Sequence, residues 1–202
     1  MALQRLHREE RDYRETLEIV EQQTIRLSRI VEDMFTLARA DAGNYPVRRD
    51  AMYLDEIVEE VGRAARVVAA ARSIAIDIDA VVPAPFTGDE ELIQRLLVNL
   101  IDNAVRHTPD GTTVEVQVAN QAYGYAIIVS DRGPGIPVES QRHIFERFYR
   151  ADPSRTRLRG GGAGLGLALV RWIAEVHGGS AELSSSSSTG STFTVFLPTV
   201  SG

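Results

Sequence analysis

The chain has 202 residues, of which 44% are hydrophobic and 25% charged, with a formal net charge of −6. This length and composition predict a globular protein of one or two domains, and the acidic balance argues against a general nucleic-acid-binding role. Cysteine is absent, which excludes disulfides and thiolate metal sites, and all 22 lysine-plus-arginine positions are arginine. The sequence shows no signal-peptide pattern and no run of the ~18–20 apolar residues that a membrane span needs.

The N-terminal region is predicted to form one long helix from about Tyr13 to Ala42. Its apolar residues recur three and four positions apart, which places them on one face along roughly 45 Å of helix. Gly43 and Asn44 then end the helix, and Pro46 follows. A helix of this kind needs a partner, so the pattern favours a bundle or coiled-coil role over packing on its own globular domain.

The remainder alternates between helical and strand patterns, which predicts an α+β fold: a two-layer α/β sandwich with a mixed sheet, attached to a separate helical stalk. Helices are predicted at Leu54–Ala71, Glu90–Arg106, around His143–Phe148, and from the glycine run to His177. Strands are predicted at Ile74–Ile78, Thr113–Val118, Tyr125–Val129, Ser180–Leu183 and Thr192–Leu197. The second and third strands form a predicted hairpin, and SSSSSTG is predicted to be a flexible connector.

Two asparagines lie on the strongly apolar helix in the segment LIQRLLVNLIDNAVRHTPDG. Asn99 and Asn103 are four residues apart, so they share a face, with Arg106 and His107 close by. Asparagine is a poor helix former, and an amide on an apolar helix needs partners. These amides either satisfy backbone and loop groups or ligate a hard cation such as Mg²⁺, which prefers oxygen donors.

Asp131 ends an apolar strand in IIVSDRGPGIP and is followed by Gly133 and Gly135. A carboxylate at such a position is costly unless it is exposed or paired. The stretch is either good turn chemistry or a ligand site. In the second interpretation Asp131 accepts a hydrogen bond from a ligand amine, and the glycines let the ligand approach the backbone.

The segment IFERFYRADPSRTRLRGGGAGLGLALV combines apolar residues, arginines and alternate glycines at a helix start. It is not a Walker loop, because it supplies no lysine, and it is not a dinucleotide fingerprint, because no strand precedes it. Arginines beside a glycine-rich helix start favour an anion site, although at least half of them are expected on a solvated face.

Four motifs follow one another along the chain: N-x-x-x-N-A, D-x-G-x-G-I, F-x-x-F-Y-R and G-x-G-L-G-L. In this order they resemble the ATP-binding domain of bacterial sensor histidine kinases. That domain belongs to a wider superfamily that includes gyrase, the heat-shock chaperone ATPases and the mismatch-repair ATPases. The resemblance covers essentially the whole chain. It implies a Bergerat-type ATP-binding fold, with ATP and Mg²⁺ as cofactors.

Carried over by position, the resemblance implies that Asn103 is the Mg²⁺ ligand, Asn99 a supporting amide and Asp131 the partner of the adenine amino group. Arg106 and His107 are implied to contact the phosphates. The other implied nucleotide-site residues are Gly133, Gly135 and Ile136 of the first glycine box, Phe148 of the F box (with Phe145), Arg150 and Arg155 of the lid, Gly162, Gly164, Leu165 and Gly166 of the second glycine box, and Thr192 of the last strand.

One position separates kinases from ATP-hydrolysing members of this superfamily. The hydrolysing members carry a glutamate four residues before the metal-binding asparagine, as general base for water, and here that position is Asn99. An amide cannot accept a proton at neutral pH, so phosphoryl transfer is favoured over hydrolysis. The alternatives are an ATP-hydrolysing switch and a non-catalytic interaction module.

The resemblance divides the chain at residue 43. Residues 1–43 resemble the second helix of a dimerisation bundle, and residues 44–202 the catalytic domain. His7 lacks the motif of a phosphoacceptor, so the acceptor histidine is expected to be absent and autophosphorylation by this chain is not expected. The implied partners are ATP, a first bundle helix, a second copy, possibly with swapped helices, and a response regulator, but no nucleic acid. The implied location is cytoplasmic, in an intact protein anchored as an inner-membrane sensor.

Overall fold

The computed structural model describes residues 10–151 and 163–199. The helices of this part are α1 (Glu10–Asp41), α2 (Leu54–Ala70), α3 (Glu90–His107), α4 (Val138–Gln141) and α5 (Gly166–Val176). The strands are β1 (Asp50–Tyr53), β2 (Ala75–Ala80), β3 (Pro85–Gly88), β4 (Thr113–Gln121), β5 (Gly124–Ser130), β6 (Ser180–Ser187) and β7 (Gly190–Pro198). None of these helices is long and apolar enough to cross a membrane.

The main sheet has five strands in the order β2-β4-β5-β7-β6, and β1 and β3 form a separate two-stranded antiparallel sheet. Strands β2 and β4 are parallel, while every other neighbouring pair in the main sheet is antiparallel. The predicted mixed sheet is therefore confirmed. The β1–β3 pair was not predicted from the sequence.

The core lies between this sheet and a layer formed by α2, α3 and α5. In α3 the apolar residues recur three and four positions apart, so one face of the helix is buried while its first turn carries acidic side chains. In β7 every second residue points inward, as the period of two for a strand requires. The predicted two-layer arrangement is confirmed.

The C-terminal turns of α1 pack on the α/β part of the chain. Leu37 is 2% exposed, and Arg95 of α3 donates to Asp33 at 2.7 Å and to Thr36 at 3.0 Å. Arg147 donates to both carboxylate oxygens of Asp41, at 2.5 and 2.6 Å. The prediction of a separate stalk is thus wrong for this end of the helix, because burial of Leu37 and two ion pairs hold it against the domain.

The rest of the described apolar face of α1 is exposed. Leu17 and Leu27 have 66% and 61% of their surfaces accessible, and Val20 and Val31 are also exposed. An apolar stripe of this kind is typical of a helix that packs against another helix in an assembly.

Two local predictions differ from the structure. The helix between Asp131 and the glycine run is α4 at Val138–Gln141, whereas residues 143–148 form turns. The serine-rich segment is not a flexible connector, because β6 extends to Ser187 and only residues 188–189 separate it from β7. Ser185, Ser186 and Ser187 pair with residues of β7, and Ser184 lies in a β-bulge between Leu183 and Ser185.

Candidate functional site

The polar face of α3 carries the two asparagines. Asn99 and Asn103 are half-buried, and the Asn99 side-chain amide donates to the carbonyl oxygen of Arg95 at 2.8 Å. Arg106 donates to Asp102 at 2.6 Å, one turn away. Desolvation lowers the pKa of His107, although the neighbouring Asp131 carboxylate acts in the opposite direction. Asn99 and Asn103 therefore lie at the border between the buried apolar side of α3 and solvent.

The C-terminal end of α3 is fixed by Arg72, which lies in the turn between α2 and β2. Arg72 donates to the carbonyl oxygens of Val105 and Thr108, at 2.5 and 2.7 Å, and pairs with Asp110. These bonds satisfy acceptors that a helix end leaves without intrahelical partners. Arg72 belongs to no recognisable motif, so this contact could not be predicted from the sequence.

Asp131 is the buried carboxylate of the site. It is 7% exposed, and its Oδ1 accepts from the backbone N–H of Gly133 at 2.7 Å. Burial raises the pKa of Asp131, against the lowering effect of hydrogen bonds to its carboxylate from the backbone N–H groups of Gly133 and Ser191 and of the nearby His107. A Cβ on Gly133 would lie 2.7 Å from Oδ1 and 2.8 Å from the carbonyl oxygen of His107. The first glycine segment therefore touches the end of α3.

The second glycine segment contacts the same helix at Asn99, about two turns before His107. Gly166 is the first residue of α5, and a Cβ there would lie 2.6 Å from Oδ1 of Asn99. Leu165 is buried at 2% exposure, and no side chain caps the helix start. The free N–H groups and the dipole of α5, which has 11 residues, make this end favourable for an anion.

The two contacts define a face of α3 that is bounded by Asn99 at one end and His107 at the other. Eight residues of helix span about 12 Å, and Asn103 lies midway on the same face. One boundary supplies a buried carboxylate and the other an uncapped helix start. The structure thus places six of the predicted site residues along this face or at its two ends: Asn99, Asn103, His107, Asp131, Gly133 and Gly166.

The segment before α5 is held to the second glycine segment by its backbone. The N–H of Phe148 donates to the carbonyl oxygen of Gly164 at 2.8 Å, and both residues have positive φ, +63° and +76°. A Cβ on Gly164 would lie 2.7 Å from the carbonyl oxygen of Tyr149. The side chain of Phe148 is 58% exposed, whereas Phe145 packs edge-on against Phe193.

The last strand places two neighbouring hydroxyls on opposite faces. Thr192, the predicted pocket residue, is half-buried and its hydroxyl lies 3.0 Å from that of Ser130. Ser191 is 4% exposed, and its carbonyl oxygen accepts from the backbone N–H of Asp131 at 2.9 Å. Ser191 was missed by sequence reasoning, although the period of two along β7 distinguishes its face from that of Thr192.

Four further predicted residues lie at the edge of this arrangement or outside the described residues. Arg150 is exposed, and the backbone N–H of Ile136 donates to the hydroxyl of Ser186 at 2.7 Å. Arg155 and Gly162 lie outside the described residues. Among the residues that the structure does describe, no three His, Asp or Glu side chains group as a metal centre.

The sequence and the fold both match known proteins. The family described as histidine kinase-, DNA gyrase B-, and HSP90-like ATPase matches residues 88–201. A sensor-like histidine kinase, SenX3 of Mycolicibacterium smegmatis, is 38% identical over 173 residues, which cover 86% of this chain and 45% of that protein. The chain thus spans less than half the length of this relative.

Solved structures agree with this match. A mycobacterial sensor histidine kinase, MprB, is 27% identical with a TM-score of 0.66, covering 74% of this chain and 97% of that one. The Acinetobacter baumannii histidine kinase AdeS, at 24% identity, shows the same fold with a TM-score of 0.76 over 97% of this chain and 88% of its own. The chain belongs to the histidine kinase, gyrase B and HSP90-like ATPase family, and it carries the ATP-binding catalytic region of a two-component sensor kinase.

Proposed function

We propose that this chain binds Mg–ATP along the α3 face between Asn99 and His107 and presents the γ-phosphate to a histidine on a helical bundle. The observation that carries the proposal is the pair of glycine segments at the two ends of this face, one beside a buried Asp131 and the other at the uncapped start of α5. A base and a phosphate chain need these two different environments.

At the base end, Asp131 accepts a hydrogen bond from the adenine amino group. Gly133 donates to Oδ1 at 2.7 Å, which orients the carboxylate toward the ligand amine. A carboxylate with few protein donors is costly to bury, and the raised pKa of Asp131 reflects that cost. A ligand amine offsets part of it.

At the phosphate end, the first N–H groups of α5 and the helix dipole stabilise negative charge. Arg150 and Arg155, the predicted lid residues, add cationic groups for the phosphates, whereas Arg106 and His107 lie in the last turn of α3 beside Asp131 and reach the phosphate chain from that side. Mg²⁺ requires few protein ligands when phosphate oxygens and water complete its coordination, so a single amide oxygen from Asn103 fits it. A metal ion held there by Asn103 would neutralise charge on the transferred phosphoryl group.

Transfer, rather than hydrolysis, is the reaction that Asn99 supports. Its side-chain amide donates to the carbonyl oxygen of Arg95, so the side chain is fixed, and an amide cannot accept a proton from water at neutral pH. Phosphoryl transfer depends chiefly on positioning and charge neutralisation. An ATP-hydrolysing switch and a non-catalytic interaction module are the competing functions.

In the whole protein, we propose that the exposed stripe of α1 pairs with another bundle helix and with a second copy, at the cytoplasmic side of a membrane-anchored sensor. The phosphoryl group then passes to an aspartate of a response regulator. His7 lies outside the described residues and lacks an acceptor motif, so we propose that this chain does not phosphorylate itself. Acid-labile label on His7 after incubation with γ-labelled ATP would contradict this.

Calorimetric titration with a non-hydrolysable ATP analogue tests the site directly. We expect saturable, Mg²⁺-dependent binding that is lost in Asn103→Ala and in Asp131→Ala. Asn120→Ala, which alters an exposed amide on β4, is the matched control and should bind as the parent does. No binding by the parent would favour the interaction module, and steady phosphate release that depends on Asn99 would favour the hydrolase.

A further inference from the structure

The backbone of the loop from Asp131 to Ile136 packs directly against the backbone of the β6–β7 hairpin. A Cβ on Gly135 would lie 1.9 Å from the carbonyl oxygen of Ser187, and one on Gly190 would lie 2.0 Å from the carbonyl oxygen of Asp131. Each segment therefore contributes a glycine that lets its backbone touch the backbone of the other. The position of the loop is set by the hairpin.

One hydroxyl joins the two segments at the far end of the loop. Oγ of Ser186 accepts from the backbone N–H of Ile136 at 2.7 Å and lies 3.2 Å from Oγ of Ser191. Ser191 in turn accepts, through its carbonyl oxygen, from the N–H of Asp131 at 2.9 Å. The Ser186 hydroxyl thus holds the Ile136 end of the loop and the Ser191 backbone holds the Asp131 end, while the two serine hydroxyls link these neighbouring positions of the hairpin.

The β-bulge between Leu183 and Ser185 places this hydroxyl on the correct face. Ser186 is opposite Ser191, and Leu183 is opposite Phe193. Both pairs lie on the inner face, although Ser186 follows Leu183 by three positions and a regular strand returns to the same face every two. A regular strand would put Ser185 opposite Ser191 instead. The extra residue therefore turns Ser186 toward Ile136.

We infer that Ser186 is a positioning residue for the base end of the nucleotide site, acting through Ile136 and, with Ser191, on the loop that carries Asp131. This inference rests on the proposed ATP site. It predicts that loss of the Ser186 hydroxyl weakens adenine-nucleotide binding without removing any group that touches the nucleotide.

The test compares Ser186→Ala with Ser184→Ala. Ser184 lies in the same strand, but its hydroxyl bonds to Thr194 on the exposed face. We expect Ser186→Ala to weaken Mg–ATP binding about 5- to 20-fold, since the half-buried N–H of Ile136 loses its acceptor. Mg–ADP should weaken by the same factor because the lost contact is at the base end, and Ser184→Ala should bind both as the parent does.

Two further variants separate positioning from simple loss of stability. Ser186→Thr keeps the acceptor and should restore binding, while Ser186→Cys, which is nearly isosteric with a weak acceptor, should give an intermediate affinity. Amide hydrogen exchange at Ile136 should accelerate in the alanine variant and not in Ser184→Ala. Parent-like ATP affinity or unchanged exchange at Ile136 in Ser186→Ala would overturn the inference. Absence of ATP binding in the parent itself would instead overturn the proposed function.

Discussion

Acidification is expected to destabilise the catalytic domain through His177. This side chain is 3% exposed; its Nδ1 donates to the carbonyl oxygen of Ile173 at 2.8 Å, and its Nε2 accepts from the backbone N–H of Asp89 at 3.0 Å. Only the neutral ring with its proton on Nδ1 satisfies both bonds. Protonation would place an N–H donor against the N–H of Asp89.

The sign of the effect follows from the folded-state pKa. Burial lowers the pKa of His177 below its ordinary value of 6.5, and the guanidinium of Arg49 acts in the same direction, while Ile173 and the Asp89 carboxylate oppose them. The unfolded chain therefore binds more protons than the folded one below about pH 6.5. Stability is fully present above this pH and is lost as the pH falls through it.

The loss of unfolding free energy is limited because His177 binds a single proton. The free energy of unfolding can fall by at most about 1.4 kcal/mol per pH unit for each such group, so between pH ~7.5 and ~5.5 His177 accounts for at most about 1.4 kcal/mol. The total is further limited to the cost of one unsatisfied buried donor, about 1–3 kcal/mol.

Urea denaturation across this pH range, on the parent and on His177→Gln, measures the effect. A glutamine amide can accept from Asp89 and donate to Ile173 without titrating, so the variant should show a shallower pH dependence. His107 also has a lowered pKa, and the difference between the two proteins cancels its contribution. Equal slopes in parent and variant would refute the reasoning.

Two other predictions concern contacts between elements. Gly135→Ala should lower the free energy of unfolding by about 2–4 kcal/mol, because its φ of +73° and the nearby backbone oxygen both exclude a Cβ, whereas Gly111→Ala (φ +79°) meets no neighbouring atom and should cost only about 1 kcal/mol. Equal losses in denaturant titration would contradict this. A double-mutant cycle of Arg95→Gln with Asp33→Asn should give a coupling of about 1 kcal/mol, above that of the exposed Arg171 pair, and zero coupling would mean that α1 is not held there.

Much of the fold was predictable because its signals are local. The period of 3.6 on α3, the period of two on β4 and β7 and the short apolar run of β5 located those elements from the sequence. The asparagines and the glycine segments were also located, since their residue types are unusual where they occur. The contacts of the two glycine segments with α3 depend on the topology of the fold, which cannot be read from the motifs alone.

The missed features depend on distant partners. Strand β1 has four residues and pairs with β3 more than thirty residues later, so its local pattern is weak. The serines of β6 have little strand propensity, and register on β7 overrides it. The charges of Asp33 and Arg95 are typical of solvated surfaces, and only the packing of Leu37 brings them together.

The docking of α1 has a mechanical consequence. Asp33 and Asp41 are eight residues apart, about 12 Å along the helix, and they bind Arg95 of α3 and Arg147 of the segment before Gly164. Through these ion pairs α1 joins α3, which carries the proposed nucleotide face, to the segment before Gly164. A rotation of α1 by one residue, about 100°, would withdraw both carboxylates together, so a rotation imposed at its N-terminal end would break both ion pairs at once.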